Sequence, residues 1–488
     1  MSVSAARSHA EPREGARSPG LALRPVLLVI ALKCALTFAV AGRYGWHRDE
    51  LYYAVSGLHL QGGYVEFPPV TALLAALARV LFGWSLVGLR AFTILAGAGT
   101  VLAGVLVARE LGATRRAQTL AAVAIAFCPG MLATNWLFQP VAFDQLTTLL
   151  VLWLAVRIAL GRGSWVLLGL AVGVGLETKY TLAVVLLFLV ATFLVWRRDA
   201  LSPPGLMAAV AIAAVLMVPN LVWEAGHGWT SVHFFLNPPP SGSDETRPQF
   251  IGNLLLLTVV ALPVAIAGVV SLVRDRALRP LGWTVVGTVV AYFVLGGKSY
   301  YALPVVVFAL AAGSIPLERW LTRRRLAIAG VAFVVVDLVA LPILLPVLPL
   351  HTAERHGVVS ARSDYQSEIG WPEYVRQVER LSGGVDLIVA ANYGEAGALE
   401  LFGHRLPPVA SVDVTMRYWR PAVSGRRALL IGYSRRSADF CTSYSLVAHV
   451  TTPHGSNERD EPIARCTLED TLAHVWHRIV ATSDYTRY

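Results

Sequence analysis

Two adjacent carboxylates, Asp49 and Glu50, stand in the stretch "GWHRDELYYAVSGLHLQGGYVEFPPV", just after a long apolar run, and a third, Glu66, precedes a Pro-Pro pair. Carboxylates take protons from hydroxyl nucleophiles or hold cations, so acids at the edge of a greasy segment point to chemistry beside a membrane. Adjacent residues diverge by about 100° on a helix and about 180° on a strand, so the pair cannot share one task. One is expected to face a reaction centre while the other anchors the loop to basic groups or backbone. The plainer reading is a solvated pair or a helix cap at the membrane edge. Asp144 opens a later apolar run, directly after "FQP". An acid there is costly and reads as functional, with a carboxylate favoured by the helix dipole as the alternative.

The sequence has only three lysines, Lys33, Lys179 and Lys298, among 41 basic side chains. Lys179-Tyr180 and Lys298-Ser299-Tyr300-Tyr301 each put an ammonium beside phenols at the end of an apolar run. An ammonium holds phosphate as a point charge, and phenols orient sugar or phosphate oxygens. The competing explanation is snorkelling at a membrane edge. Glu66 with His233 or His227 forms a weak candidate set for a divalent metal. Lys33 and Asp337 lie within apolar runs, disposed to pair across a bundle or to line a polar groove. No Walker loop, dinucleotide fingerprint or HExxH pattern occurs, so nucleotide-driven and zincin chemistry have no support.

The elements that must position these groups are membrane helices. The chain of 488 residues is 55% hydrophobic and 15% charged, where a soluble protein carries about 25% charged residues. Its net charge of +10 comes from short arginine clusters between apolar runs. That pattern suits cytoplasmic loops and anionic lipid headgroups rather than nucleic acid. About eleven runs are long enough to be spans: 23–41, 89–108, 117–134, 144–160, 165–177, 180–196, 204–223, 250–273, 281–296, 302–315 and 326–350. With the N-terminus inside, every arginine cluster between spans falls on one face, as the positive-inside rule requires. Asp49, Glu50, Glu66, Asp144, Lys179, Lys298 and everything after residue 351 then fall outside.

Residues 1–22 are expected to form a disordered cytoplasmic tail without a cleavable signal, and 23–350 the transmembrane domain. Within its outer loop, 43–88, "EFPPVTALLAALARVLFG" predicts a helix entered through prolines and lying along the membrane surface. In 351–488, strand-like "VDLIVAAN" and "RALLIGY" mix with helix-like "WPEYVRQVERL" and "EDTLAHVWHRIV", predicting an extracytoplasmic α/β domain. Cys441 and Cys466 lie in that domain, compatible with a disulfide or with two thiols.

These motifs resemble the membrane glycosyltransferases of the C superfold, in particular the protein O-mannosyltransferase and aminoarabinose transferase-like family (glycosyltransferase family 39-like). The resemblance covers roughly residues 23–350. It rests on "RDELYYAVSGLHLQGGYVEFPP", with "FDQL", "GLETKYT" and "KSYY" in support; "NYGEAGALELFG" and "GSNERDEPIARC" are similar to the tail domain of bacterial relatives. It implies an all-α polytopic enzyme of the plasma membrane that moves a sugar from a polyprenyl-phosphate donor to an acceptor at the outer face. It also implies Asp49 as the catalytic carboxylate, Glu50 as its partner and Asp144 as the acid of the second outer turn. Glu66 would lie near a metal or the acceptor, with His233 as its imidazole partner. Lys179 and Lys298 would bind donor phosphate, beside Tyr180, Tyr300 and Tyr301. No cofactor is required, although a divalent ion is compatible. The tail lacks the repeated β-trefoil modules of eukaryotic protein mannosyltransferases, which weakens the case for a protein acceptor; the sequence does not choose between protein, glycolipid and polysaccharide. The rival reading is a transporter or flippase of a lipid-linked sugar.

Overall fold

The structure, a computed structural model, describes residues 19–237 and 245–482. Most of the tail expected over 1–22 therefore lies outside the described residues, as does the side chain of Asp337. Each of the eleven predicted runs contains a helix, although 345–349 of the last run are not helical. Among the described residues, six segments are long and apolar enough to cross a membrane: Leu23–Val40, Leu86–Glu110, Pro140–Ala159, Pro203–Gly226, Arg247–Arg274 and Ser299–Trp320. Four shorter apolar helices, Val70–Phe82, Trp165–Leu176, Leu182–Trp196 and Arg279–Leu295, accompany them. The run predicted over 117–134 is two helices, Arg115–Ala126 and Pro129–Thr134, because Pro129 cannot continue the first.

Side-chain hydroxyls start many of these helices. Ser85, Thr114, Ser164, Ser202, Thr246 and Thr322 each accept a hydrogen bond from a first-turn backbone N–H. Those bonds satisfy donors that a helix leaves unpaired in its first turn. Large apolar side chains such as Leu28, Leu95, Leu187 and Val215 are exposed on the helices, the expected outcome where the surrounding solvent is lipid. The proline-entered helix is Val70–Phe82; it buries Thr71, Ala72, Ala75 and Ala78 and exposes Leu73, Leu77, Val80 and Leu81. A small-residue face packs inward while the bulky face is left for lipid.

The arginine-rich turns meet at one end of the bundle. Arg157 and Arg162 pair with Glu110, Arg116 donates to the Leu321 carbonyl, and Arg197 donates to the Ala277 carbonyl.

The C-terminal segment forms a five-stranded mixed sheet: β1 (Leu387–Ala390), β2 (Val409–Ser411), β3 (Arg427–Ile431), β4 (Cys441–His449) and β5 (Pro462–Leu468). The order is β2-β1-β3-β5-β4, with β2, β1 and β3 parallel and β5 antiparallel to both β3 and β4. Cys441 and Cys466 are joined by a disulfide across β4 and β5. β1 lies between β2 and β3, with its connections leaving in opposite directions, the arrangement in which parallel strands commonly leave a crevice at their carboxyl ends. The residues that follow β1 and β2 point that crevice at the outer loop of the helical half. Leu51 of that loop packs in the same core as Trp371, Tyr374 and Ile431.

Candidate functional site

Asp49 and Glu50 lie in the first turn of a short helix, Arg48–Ser56, and the structure gives them different surroundings. Glu50 is fully buried. Its Oε1 accepts from Arg90 Nε at 2.8 Å and from the Phe138 N–H at 2.8 Å. Its Oε2 accepts from Arg90 Nη2 and from the His47 N–H, both at 2.8 Å. The last bond closes a capping box with His47. Glu50 thus has no oxygen left for substrate.

Asp49 keeps a side chain 28% exposed. Its Oδ1 accepts from Tyr393 Oη at 2.8 Å and its Oδ2 from Gln139 Nε2 at 3.2 Å. An ionised carboxylate offers about four acceptor sites, so two bonds hold it and leave capacity for a proton.

Arg90 fixes this corner. Besides gripping Glu50, it donates to the Ala41 and Gly45 carbonyls at 2.9 Å, faces Glu368 at 3.5 Å and sits 4.7 Å over the Trp136 ring. Sequence reasoning missed Arg90, although its signal was present: an arginine inside an apolar run must find a partner. Glu368, Tyr393 and Thr415 were missed too, and no local signal marks them.

Glu66 is partly buried beside the sheet. Its Oε2 accepts from Tyr52 Oη at 2.8 Å and from Thr415 Oγ1 at 3.4 Å, and Thr415 Oγ1 also accepts from the Val65 N–H at 2.8 Å. Burial pushes the Glu66 carboxyl up to about 8, against the lowering effect of the Tyr52 hydroxyl. Burial likewise raises Asp413, which follows β2, to about 6. His233 is exposed on the Thr230–Leu236 helix and shares no hydrogen bond with Glu66. His227 stacks on Trp223 and bonds its carbonyl. Among the described residues, no three His, Cys, Asp or Glu side chains are grouped to hold a metal.

Asp144 is buried in the first turns of Pro140–Ala159, where Thr148 and Thr181 donate to it at 3.3 and 3.1 Å. Lys179 acts electrostatically on it. The Lys179 ammonium lies 4.4 Å from the Tyr301 ring centroid and 5.0 Å from that of Tyr300, which brings the two lysine-tyrosine turns together. Asp49 in turn is close enough to act electrostatically on Tyr300. Lys298 bears on Asp364, whose carboxyl is held below its usual range chiefly by Arg362, although burial opposes this. Tyr180 turns away and exchanges a hydrogen bond with Asn220. Lys33 is buried on Asn135 Oδ1 at 2.8 Å, and Asn135 continues to Gln145. The structure thus gathers Asp49, Lys179, Tyr300 and Tyr301, with Glu66 beside the sheet, and leaves His233 and Tyr180 apart.

The chain is similar to known proteins in sequence and in fold. Residues 66–223 match the family described as dolichyl-phosphate-mannose-protein mannosyltransferase. An undecaprenyl phosphate-alpha-4-amino-4-deoxy-L-arabinose arabinosyl transferase of Pseudomonas paraeruginosa is 30% identical over 318 residues, 59% of this chain and 56% of that protein. A lipopolysaccharide core galacturonosyltransferase of Rhizobium johnstonii is 36% identical over 102 residues, 20% of each chain. The matches therefore span about half the length of these relatives or less. Among solved structures, apo ArnT from Cupriavidus metallidurans aligns with TM-score 0.65 at 15% identity, over 94% of this chain and 98% of that one. The same protein bound to undecaprenyl phosphate aligns with TM-score 0.60 at 16% identity, over 90% and 97%. At such identities the likeness is one of fold.

Two outcomes follow from the buried charges. Arg90→Met leaves the Glu50 carboxylate uncompensated and should cost about 3–5 kcal/mol. Thermal unfolding in detergent checks this, and an unchanged midpoint would contradict it. The raised carboxyls Glu66 and Asp413 bind protons in the folded state that the unfolded chain has released. Their stabilisation is complete below about pH 4 and is lost as pH rises through about 6 and about 8. The unfolding midpoint should therefore fall from pH 5 to pH 8.5, and Glu66→Gln should flatten the upper part of that slope.

Proposed function

From the premise that the chain has the C-superfold architecture of membrane glycosyltransferases and, over 66–223, the mannosyltransferase family's segment, we propose that it transfers a sugar from a polyprenyl-phosphate donor to an acceptor at the outer membrane face. The observation that carries this reading is the convergence of a partly exposed carboxylate, Asp49, and an ammonium, Lys179, on the Tyr300–Tyr301 turn. A carboxylate and a cation on one aromatic wall are what sugar transfer from a phosphate requires.

The acceptor hydroxyl gives its proton to Asp49 as its oxygen bonds to the sugar's anomeric carbon. The anomeric carbon–oxygen bond to phosphate breaks, and the electron pair leaves with polyprenyl phosphate. Lys179 stabilises the charge gathering there, and the phenols of Tyr300 and Tyr301 orient the phosphate. No nucleotide is needed, since the phosphate ester already activates the sugar. Lys298 and Asp144 border the phosphate position, and Glu50 positions Asp49 through the shared helix. Glu66, largely protonated at pH 7, offers the acceptor or sugar a hydroxyl donor. The divalent ion held open by the sequence has no step in this scheme.

The lipid tail has a place to lie. An apolar cavity of about 440 Å³ opens between helices Trp165–Leu176, Leu182–Trp196 and Pro203–Gly226, lined by Leu168, Leu189, Phe193, Met217 and others. It runs along the helices that carry the Lys179 turn at their junction. The topology that suits this scheme has about eleven spans, a cytoplasmic N-terminus and arginine turns inside, with the segment after 351 as an extracytoplasmic α/β domain. The gathering of the arginine turns at one end supports it. The relative named for the lipopolysaccharide core supports a glycolipid acceptor, while the matched family is named for a protein one.

The test is purified protein in liposomes with a panel of labelled polyprenyl-phosphate sugars, following release of polyprenyl phosphate. Wild type should cleave one donor and Asp49→Asn should be slower by at least about a hundredfold, the contribution of a general base. Equal cleavage by both would remove Asp49 from the reaction. Donors that cross the bilayer intact would instead support a flippase.

A further inference from the structure

The stretch "NYGEAGALELFG" lies about 340 residues from the Asp-Glu pair in sequence, yet its tyrosine bonds Asp49. We propose that Tyr393, supplied by the C-terminal sheet, is a positioning residue that aims the Asp49 carboxylate at the acceptor hydroxyl. This inference rests on the reading of Asp49 as the general base.

Four independent contacts place the phenol. Tyr393 begins the helix Tyr393–Phe402, which leaves the carboxyl end of β1 and is capped by the Asn392 side chain. The Tyr393 N–H donates to Asp413 Oδ2 at 3.0 Å, so the loop after β2 fixes the helix start. The Arg48 guanidinium covers the ring at 4.9 Å, and the Tyr52 ring packs against it at 5.0 Å. So held, the hydroxyl donates to Asp49 Oδ1 at 2.8 Å.

The approach needs glycine. A Cβ on Gly394 would fall 2.1 Å from Arg48 Cγ, and one on Gly397 would fall 3.0 Å from Leu51 Cβ. The two short helices therefore meet almost backbone to backbone at the turn that carries both Tyr393 and Asp49.

What the hydroxyl does follows from the rest of the carboxylate's surroundings. Gln139 holds Oδ2 from the membrane half, and Tyr393 holds Oδ1 from the sheet half. An aspartate on a helix turn has several staggered rotamers. Two donors on different oxygens select one and keep the remaining acceptor positions aimed at the space beside Tyr300. Without Tyr393 only the longer bond remains, and the carboxylate turns about it. A base must sit within hydrogen-bond reach of its proton, so a turned carboxylate slows transfer without weakening donor binding. On this account the C-terminal unit completes the catalytic corner rather than only recognising the acceptor.

The experiment is the donor-cleavage assay on four full-length variants, with folded fraction measured by thermal unfolding. Tyr393→Phe removes one hydroxyl bonded to a charged group, and its kcat should fall about tenfold while KM for the donor changes less than about twofold. Gly394→Val, which keeps the hydroxyl but pushes the helix off Arg48, should show the same split per folded molecule. Tyr444→Phe, which loses a hydroxyl bonded to the Tyr433 carbonyl in the same unit, should match wild type. Asp49→Asn separates the two ideas. If it is inactive while Tyr393→Phe keeps wild-type kcat, this inference fails alone. If Asp49→Asn retains full activity, or no donor is cleaved by wild type, the base reading fails and takes this inference with it. A Tyr393→Phe defect that appears in KM, or equally in Tyr444→Phe, would also overturn the positioning role.

Discussion

The buried pair of Glu50 and Arg90 is the constraint from which the candidate site is built. Both side chains are inaccessible to solvent, and their fork-to-fork contact is completed by the Phe138 and His47 N–H groups and by the Ala41 and Gly45 carbonyls. A buried charge pair gives little net stability against an apolar replacement, but breaking one half is expensive. Its value here is geometric. One guanidinium ties the end of the first helix, the loop after it, the short Asp-Glu helix, the Trp136 turn and Glu368 of the C-terminal segment. With Glu50 so held, its neighbour Asp49 has to project about 100° away, toward the cleft. In the proposed scheme the adjacent carboxylates divide the work, one as anchor and one as reagent.

The two halves of the chain then share the site. The helical half brings Lys179, Tyr300, Tyr301 and Gln139, while the sheet half brings Tyr393, Asp413 and Thr415 from the carboxyl ends of its parallel strands. That edge is where mixed and parallel sheets commonly place their chemistry. The division suits a lipid-phosphate donor. Its tail must stay among apolar helices, its phosphate must meet a cation at the helix ends, and its sugar must reach an acceptor in water. Burial holds Glu66 largely protonated at neutral pH, which in the proposed scheme keeps its negative charge away from the donor phosphate.

Much of this was legible in the sequence because membrane spans and charged turns are local patterns. Apolar runs found the helices, and the proline-entered segment found the Val70–Phe82 helix with its lipid-facing leucines. The break at Pro129 was missed, since the run stays apolar through it. The rare lysines beside tyrosines marked two turns that the fold brings together, although Tyr180 turned out to face Asn220. Three features were not legible, for physical reasons. Tyr393, Thr415 and Glu368 come from hundreds of residues away: the sheet's crossover order puts Tyr393 beside Asp49 and Thr415 beside Glu66, and the segment before the sheet brings Glu368 to Arg90. The pairing of Lys33 with Asn135 rather than an acid depends on which helices touch, which hydropathy does not record. The disulfide of Cys441 and Cys466 depends on β4 and β5 being neighbours, which spacing along the chain does not decide.

The central claim is that the outer corner separates a proton-taking carboxylate from a phosphate-holding cation. Titration of purified protein with undecaprenyl phosphate, comparing wild type, Lys179→Ala and Asp49→Asn, tests it most directly. The account predicts about tenfold weaker binding for Lys179→Ala, the loss of one charge-assisted contact, and wild-type binding for Asp49→Asn. Unchanged affinity in Lys179→Ala, or an equal loss in Asp49→Asn, would contradict the separation.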